Sequence, residues 1–379
     1  MVAGPGLAEV LARFGPHYLA EHVLSHTQAK VWRAIGACRT AALGGQLERC
    51  ACCGAMRHRY HSCRNRHCPQ CQHRAKEAWL AARRRELLPV PYFHLVFTLP
   101  HALHGITARH PRLIYETLFA AAAHTLTEFA ADPRHLGGEA AFSLVLHTWR
   151  QDLGRHVHVH ALVAGGALTP AGQWVAPRRG FLFPVKALSR LFRGKFVARL
   201  AAQTHGLEAR AWRELHQRLY AHDWVVYAKQ PLGGPEQVLD YLARYTHRVA
   251  ICNERIVAIT ERDVLFRVRA REPGTGSQIV RLPGTEFITR FLTHVLPTGF
   301  KRIRHYGLLA PTRKRLRLAA ARAALDAPPP DPLVLETVAD FLKRIDRLAA
   351  LRCPHCGGHF VMLGVIAPVR SEQQARGPP

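Results

Sequence analysis

Acidic side chains are scarce in this chain. Its 379 residues carry 26 Asp and Glu against 53 Lys and Arg, a net charge of +27. That excess is more than solubility requires, and a polyanion is the natural partner. The basic residues recur from Arg83 to Arg85, through Arg178-Arg179, to Lys301-Arg-Ile-Arg304 and Arg313-Lys-Arg-Leu-Arg317, which describes a long charged track rather than one tail. Also missing is any run of about eighteen uncharged apolar residues, which argues against a transmembrane helix. The first residues lack the basic start, apolar core and small-residue cleavage site of a secretory signal. The expected location is therefore the cytoplasm, in association with the nucleoid, and no membrane partner is expected. There is no internal repeat and no long low-complexity tract.

Cysteine, by contrast, is concentrated. Six of the ten cysteines fall between Cys50 and Cys71, and close pairs of this kind favour a metal in a reducing compartment over disulfides. Cys50-x2-Cys53 and Cys68-x2-Cys71 lie fourteen residues apart, close to the spacing of a two-knuckle structural zinc site. Cys52, His61, Cys63, His67 and His73 are also within reach, and Cys63 or His67 can replace one of the four. Arg64, Arg66, His67 and Arg74 flank the second knuckle, placed to meet phosphates or base edges. Near the end, Cys353-Pro-His-Cys356 is one more knuckle, without a second pair beside it.

Hydropathy patterning divides the rest. Residues 5 to 48 read as helical, and a basic helix over 74–88 stops at Pro89-Val-Pro91. Strands are expected at 92–99, 142–149, 156–164 and 224–228, with helices over 111–131 and 189–219 between them. Further strands at 256–259, 263–268 and 278–281 precede a helix at 285–295. The fold class is α+β. The expected organisation is a helical zinc-binding recognition domain over 1–90, a catalytic domain over 91–310, and a basic helical tail with a CxxC knuckle over 311–379.

Two short segments carry chemistry. In His156-Val-His-Val-His160 the period of two puts His158 and His160 on one strand face, a clamp for a divalent ion such as Mn, or Mg with added oxygen ligands. The third ligand is open among His156, Gln151, Asp152, His147 and His101. In Tyr241-Leu-Ala-Arg-Tyr245 a helix starting near Pro235 places two phenols one turn apart. A phenol of pKa ~10 needs a neighbouring cation or metal to become a nucleophile, and Arg244, His247 and Arg248 lie within one turn.

Ser62-Cys-Arg-Asn-Arg-His-Cys-Pro-Gln-Cys71, His156-Val-His-Val-His-Ala-Leu-Val-Ala-Gly-Gly166, Tyr241-Leu-Ala-Arg-Tyr-Thr-His-Arg-Val-Ala-Ile251 and Arg302-Ile-Arg-His-Tyr-Gly307 together resemble the rolling-circle insertion-sequence transposases with an N-terminal transposase zinc-binding domain. These belong to the paired-tyrosine branch of the HUH endonucleases. The resemblance implies a central antiparallel sheet flanked by helices, with His158 and His160 holding catalytic Mg or Mn and Tyr241 and Tyr245 as nucleophiles. It further implies nicking and rejoining of single-stranded transposon DNA through a 5′-phosphotyrosine link. Arg64, Arg66, Arg244, Arg248, Arg302 and Arg304 are the expected DNA contacts. Two other readings use the same residues: a plasmid or phage rolling-circle replication initiator, and a catalytically silent zinc-dependent DNA-binding protein.

Overall fold

A computed structural model describes residues 4–178, 182–203, 209–228, 237–238, 250–270, 276–330, 337–344 and 348–369. Helices α1 (Leu7–Glu21) and α2 (His26–Gly36) lead into a hairpin of β1 (Gly45–Cys50) and β2 (Met56–Tyr60), and α3 (Gln72–Arg84) follows. The expected helix over residues 5–48 thus ends early. Gly45-Gln-Leu-Glu-Arg-Cys50 is a strand held by its partners on both sides, since the sheet order is β12-β1-β2, with β12 formed by Phe360–Ile366. Gly45 pairs with Ile366 and Cys50 with Phe360.

The central sheet is built from β3 (Tyr92–Thr98), β4 (Glu139–Trp149), β5 (Arg155–Leu168), the short β6 (Trp174–Val175), β7 (Val226–Ala228) and β11 (Ile303–Gly307). Its order is β11-β4-β5-β3-β7, with β6 beside β5, and every pairing is antiparallel. The long β5 therefore runs through the middle. Odd-numbered residues of β5 and β3, Val157, Val159, Ala161, Leu95 and Phe97, share one face with the even-numbered Leu144 and Leu146 of β4. Helices α4 (His104–Arg109), α5 (Pro111–Ala131), α6 (Val185–Ala201) and α7 (Ala209–Tyr220) accompany this sheet. Proline at the first turn of α5 suits a position whose N–H has no helical partner. Helix α6 presents Leu188, Phe192, Phe196 and Leu200 at steps of four, so one stripe enters the core. Phe192 and Phe196 are fully buried, each contributing about 1.5–3 kcal/mol.

A second core lies under the N-terminal helices. Leu7, Val10, Leu11 and Phe14 of α1 pack with Val264 and Phe266 of β9 (Asp263–Arg269) and with Phe287, Ile288 and Phe291 of α8 (Gly284–Leu292). Strand β9 sits between β8 (Ile256–Ile259) and β10 (Ser277–Pro283). At Gly284 an added Cβ would lie 2.2 Å from Phe14 Cγ, so glycine is what lets α8 approach α1. Helix α9 (Lys314–Ala323) packs Leu318 and Ala321 against the other side of the central sheet, beside Tyr92, Leu162 and Ala164, and α10 (Val338–Arg344) precedes β12. Among the described residues no helix is long and apolar enough to cross a membrane.

Candidate functional site

The face of the central sheet opposite α5 and α6 carries the histidines. His158 and His160 of β5 share it, and antiparallel register sets His147 of β4 directly across from His158. The ligand nitrogens of these three imidazoles lie within 4.8 Å of one another, and all three rings are buried. Of the five third-ligand candidates, His147 is the one brought into the group. His158 Nδ1 lies 2.9 Å from the His156 carbonyl. It donates there, which fixes the tautomer and leaves the Nε2 lone pair facing His160 Nε2 at 3.1 Å. Burial, with the neighbouring His156 adding to it, pushes His158 down to about 4, so the ring is neutral at pH 7, the form that binds metal.

Supports stand behind each ring. His94 of β3 stacks on His160, with His94 Nε2 2.9 Å from His160 Nδ1. Trp149 stacks on His147 at a centroid distance of 4.9 Å, across a register shift in β4 between these two residues. Such irregularities re-aim side chains next to sites. His294 sits edge-on to Trp149, donates from Nε2 to the Leu153 carbonyl at 2.9 Å and contacts Thr148 Oγ1 through Nδ1 at 3.1 Å. His156, His101 and Asp152 lie outside the group of three, and Gln151 Oε1 accepts the Arg269 N–H at 2.6 Å.

Tyr241, Tyr245, Arg244 and Arg248 lie outside the described residues. Val238, three positions before Tyr241, is fully buried in the hydrophobic cluster that includes Tyr92, Leu162 and Ala164. Those side chains share the histidine face.

The cysteines group differently from expectation. Cys50 and Cys53 do not meet Cys68 and Cys71. One group is Cys38, Cys63, Cys68 and Cys71, and the other is Cys50, Cys53, Cys353 and Cys356, each with its sulfurs within 4.8 Å of one another. In the first, Cys71 Sγ lies 3.5 Å from Cys38 and 3.6 Å from Cys63. Zinc bonded at about 2.3 Å to four sulfurs sets neighbouring sulfurs about 3.8 Å apart, whereas a disulfide needs about 2.05 Å. The crowded thiols split their acidities. Cys38, accepting hydrogen bonds from Cys63 and Cys68, is held far below the usual thiol range, and Cys68 is pushed above it. Cys63 thus joins the site as a ligand candidate, and His67 does not. Its Nε2 accepts the Leu296 N–H at 3.4 Å, and burial with the nearby Arg66 and Arg302 pushes it down to about 3.

Two of the arginines expected to meet DNA are occupied inside the protein. Arg304 forks onto Glu116 of α5 at 2.7 and 2.9 Å and lies over the Phe119 ring. Its neighbours in β11 alternate, and His305 faces the opposite side with Ser143 of β4, 2.7 Å away. Arg66 donates to the carbonyls of Pro297 and Phe300, tying the cysteine turn to the segment after α8. Burial and the charge of Arg66 lower Arg302 to about 10. Arg64 is exposed, in a left-handed turn at φ 52°, and open to a phosphate.

Comparison with known proteins agrees along the chain. Residues 10–99 match the family model described as "Transposase zinc-binding domain", and residues 141–317 match one described as "Putative transposase". A protein of Sinorhizobium fredii (strain NBRC 101917 / NGR234) named "Putative transposase y4qJ" is 45% identical over 97% of this chain and 98% of its own. The transposase for insertion sequence element IS801 of Pseudomonas savastanoi pv. phaseolicola is 26% identical over 93% of this chain and 87% of its own. Among solved structures, the conjugative relaxase TrwC in complex with mutant oriT DNA is 13% identical with a TM-score of 0.23, over 61% of this chain and 72% of that one.

Proposed function

The chain belongs to the rolling-circle insertion-sequence transposases that carry an N-terminal transposase zinc-binding domain, and from that premise we propose that it nicks and rejoins single-stranded transposon DNA as an HUH endonuclease. The observation that carries this is the convergence of His147, His158 and His160 on the middle strands of the antiparallel sheet. Three imidazoles, one fixed by a backbone carbonyl, fit Mn or Zn, and Mg when water and phosphate oxygens complete the shell. A divalent ion there supplies a Lewis acid for an oxygen of the scissile phosphate. His94 and Trp149 hold the rings in place, and His158 stays unprotonated at neutral pH.

The nucleophiles in this reading are Tyr241 and Tyr245. The burial of Val238 in the cluster that holds Leu162 and Ala164 of the histidine face supports it, since Val238 lies three residues before Tyr241 in the sequence. One phenol oxygen bonds to phosphorus, the bond to the 3′ oxygen breaks, and the phenol's proton ends on the released 3′-hydroxyl. The phosphodiester energy is kept in the 5′-phosphotyrosine link, so joining needs no nucleotide cofactor. The second tyrosine permits a second cut while the first link persists, and a 3′-hydroxyl reverses the attack at a new position. The zinc-binding domain and basic surface hold the DNA ends, with Arg64 among the phosphate contacts.

The test is incubation with labelled single strands from the element's own ends and Mn or Mg, followed by a denaturing gel. A denaturant-resistant adduct is expected for the wild type and none for a Tyr241→Phe/Tyr245→Phe double variant. An adduct that survives the double substitution would show that another side chain attacks.

A further inference from the structure

The second cysteine group joins residues 306 positions apart. Cys50 Sγ lies 3.4 Å from Cys356, and Cys53 Sγ lies 3.6 Å from Cys353. These separations are too long for disulfides and close to the edge of a four-sulfur tetrahedron. The two contributing turns are copies of one another. In the first, Cys50-Ala-Cys-Cys53-Gly54, the Gly54 N–H donates to the Cys50 carbonyl at 3.1 Å and the Cys50 N–H to Ala55 at 2.8 Å. In the second, Cys353-Pro-His-Cys356-Gly357, the Gly357 N–H donates to the Cys353 carbonyl at 2.9 Å and the Cys353 N–H to Gly358 at 2.8 Å. Gly54 and Gly357 take matching left-handed φ values of 75° and 74°, which a side chain at either position would strain. Gly358 N–H points to Cys356 Sγ at 3.4 Å, a donor suited to a thiolate. Two facing knuckles of this kind present four sulfurs to one point.

Other contacts seat the C-terminal strand in the same place. Arg57 of β2 bonds to Glu48 of β1 at 2.6 Å, lies 3.7 Å over the Phe360 ring of β12, and donates to the Ala350 carbonyl. We propose that Cys50, Cys53, Cys353 and Cys356 bind a second zinc ion, separate from that of the Cys38 group, which fastens β12 and the segment before it onto the N-terminal domain. The C-terminal knuckle lies outside the 10–99 span of the zinc-binding family model. The DNA-binding unit therefore takes structural residues from both ends of the sequence, and this holds whichever residues do the nicking.

Exposure makes the site testable without any substitution. Cys52, Cys53 and Cys356 are all exposed, but Cys52 belongs to neither group. The full-length protein, purified reduced and without chelator, is weighed by native mass spectrometry and then alkylated with iodoacetamide, with the sites mapped by peptide mass. Two cysteine-bound zinc ions per chain are expected, besides any zinc taken up by the histidine site. Cys52 should label at least tenfold faster than Cys53 and Cys356 until a strong chelator is added, and at a similar rate afterwards. In a Cys353→Ser/Cys356→Ser variant, the zinc count should fall by one and the Cys38 group should stay protected. Equal labelling of all three exposed thiols in the zinc-loaded protein, iron in place of the second zinc, Cys50–Cys356 or Cys53–Cys353 disulfides, or an unchanged zinc count in the variant would each overturn the proposal.

Discussion

Acid should loosen the histidine site from below, through His294. This ring is 2% exposed, and burial pushes it down to about 4, against about 6.5 for an ordinary histidine. The folded state thus binds fewer protons than the unfolded chain between these values. The associated stability is complete above about pH 6.5 and is lost progressively as pH falls toward 4. A shift of this size corresponds to about 3 kcal/mol when fully expressed, and to about 2 kcal/mol at pH 5. The loss is felt at the site because His294 abuts Trp149, the residue stacked on His147. The perturbation is His294→Gln, which keeps an amide donor for the Leu153 carbonyl and an acceptor for Thr148 but does not titrate. Urea denaturation at pH 8 and pH 5 measures the difference. The wild type should lose about 2 kcal/mol more than the variant over that interval, with part of the wild type's dependence remaining through His305, also lowered to about 4 by burial and Arg83. Parallel pH dependences in the two proteins would refute the reasoning.

Two more outcomes follow from the geometry. His147→Ala should weaken Mn binding more than tenfold and abolish adduct formation with single-stranded DNA, while His156→Ala keeps adduct formation within a few-fold. Calorimetric Mn titration beside the adduct gel checks both, and equal effects of the two substitutions would remove His147 from the ligand set. Arg304→Ala should cost stability, about 1–2 kcal/mol after discounting for the partial exposure of the pair, and leave the salt dependence of DNA binding unchanged. Arg64→Ala should do the reverse, reducing the slope of log affinity against log salt by about 1 with little change in the denaturation midpoint.

Much of the central sheet was legible because its strands are marked by local rules. The expected strand at 92–99 is β3, the expected helix at 111–131 is α5, and the period-two histidines lie on β5 as alternation requires. The third ligand was not legible, since only the β4–β5 register sets His147 opposite His158, and register is a property of the pair of strands. The cysteine partners are hidden from the sequence for a related reason. Spacing joins neighbouring pairs, whereas the fold brings Cys50 and Cys53 to cysteines 306 and 300 residues away. One signal was present: Cys-x2-Cys-Gly occurs at 50–54 and 353–357 but not at 68–72, where glutamine follows. Strands β1, β2 and β12 escaped detection because their alternation is weak. β2 is Met-Arg-His-Arg-Tyr, and β12 leaves Val361, Met362, Leu363 and Val365 exposed. Arg304 is engaged by Glu116 rather than left for DNA, and its charge alone does not show this, because charge says nothing about which sheet face a residue occupies.

The pairing of β1 with β12 also sets an order of assembly during translation. Cys356, just before β12, is made 306 residues after Cys50, and at ~5–20 residues per second that delay is roughly 15–60 s. Through that interval the nascent chain carries β1 with one edge unpaired, so the β12-β1-β2 sheet is finished last although two of its strands are made first. A message broken by a frameshift or stop codon before Cys353 yields a product without this edge. Such a fragment lacks two of the four sulfurs of the second cysteine group and the strand that covers β1, so the fold of the first sixty residues depends on the reading frame being translated nearly to its end.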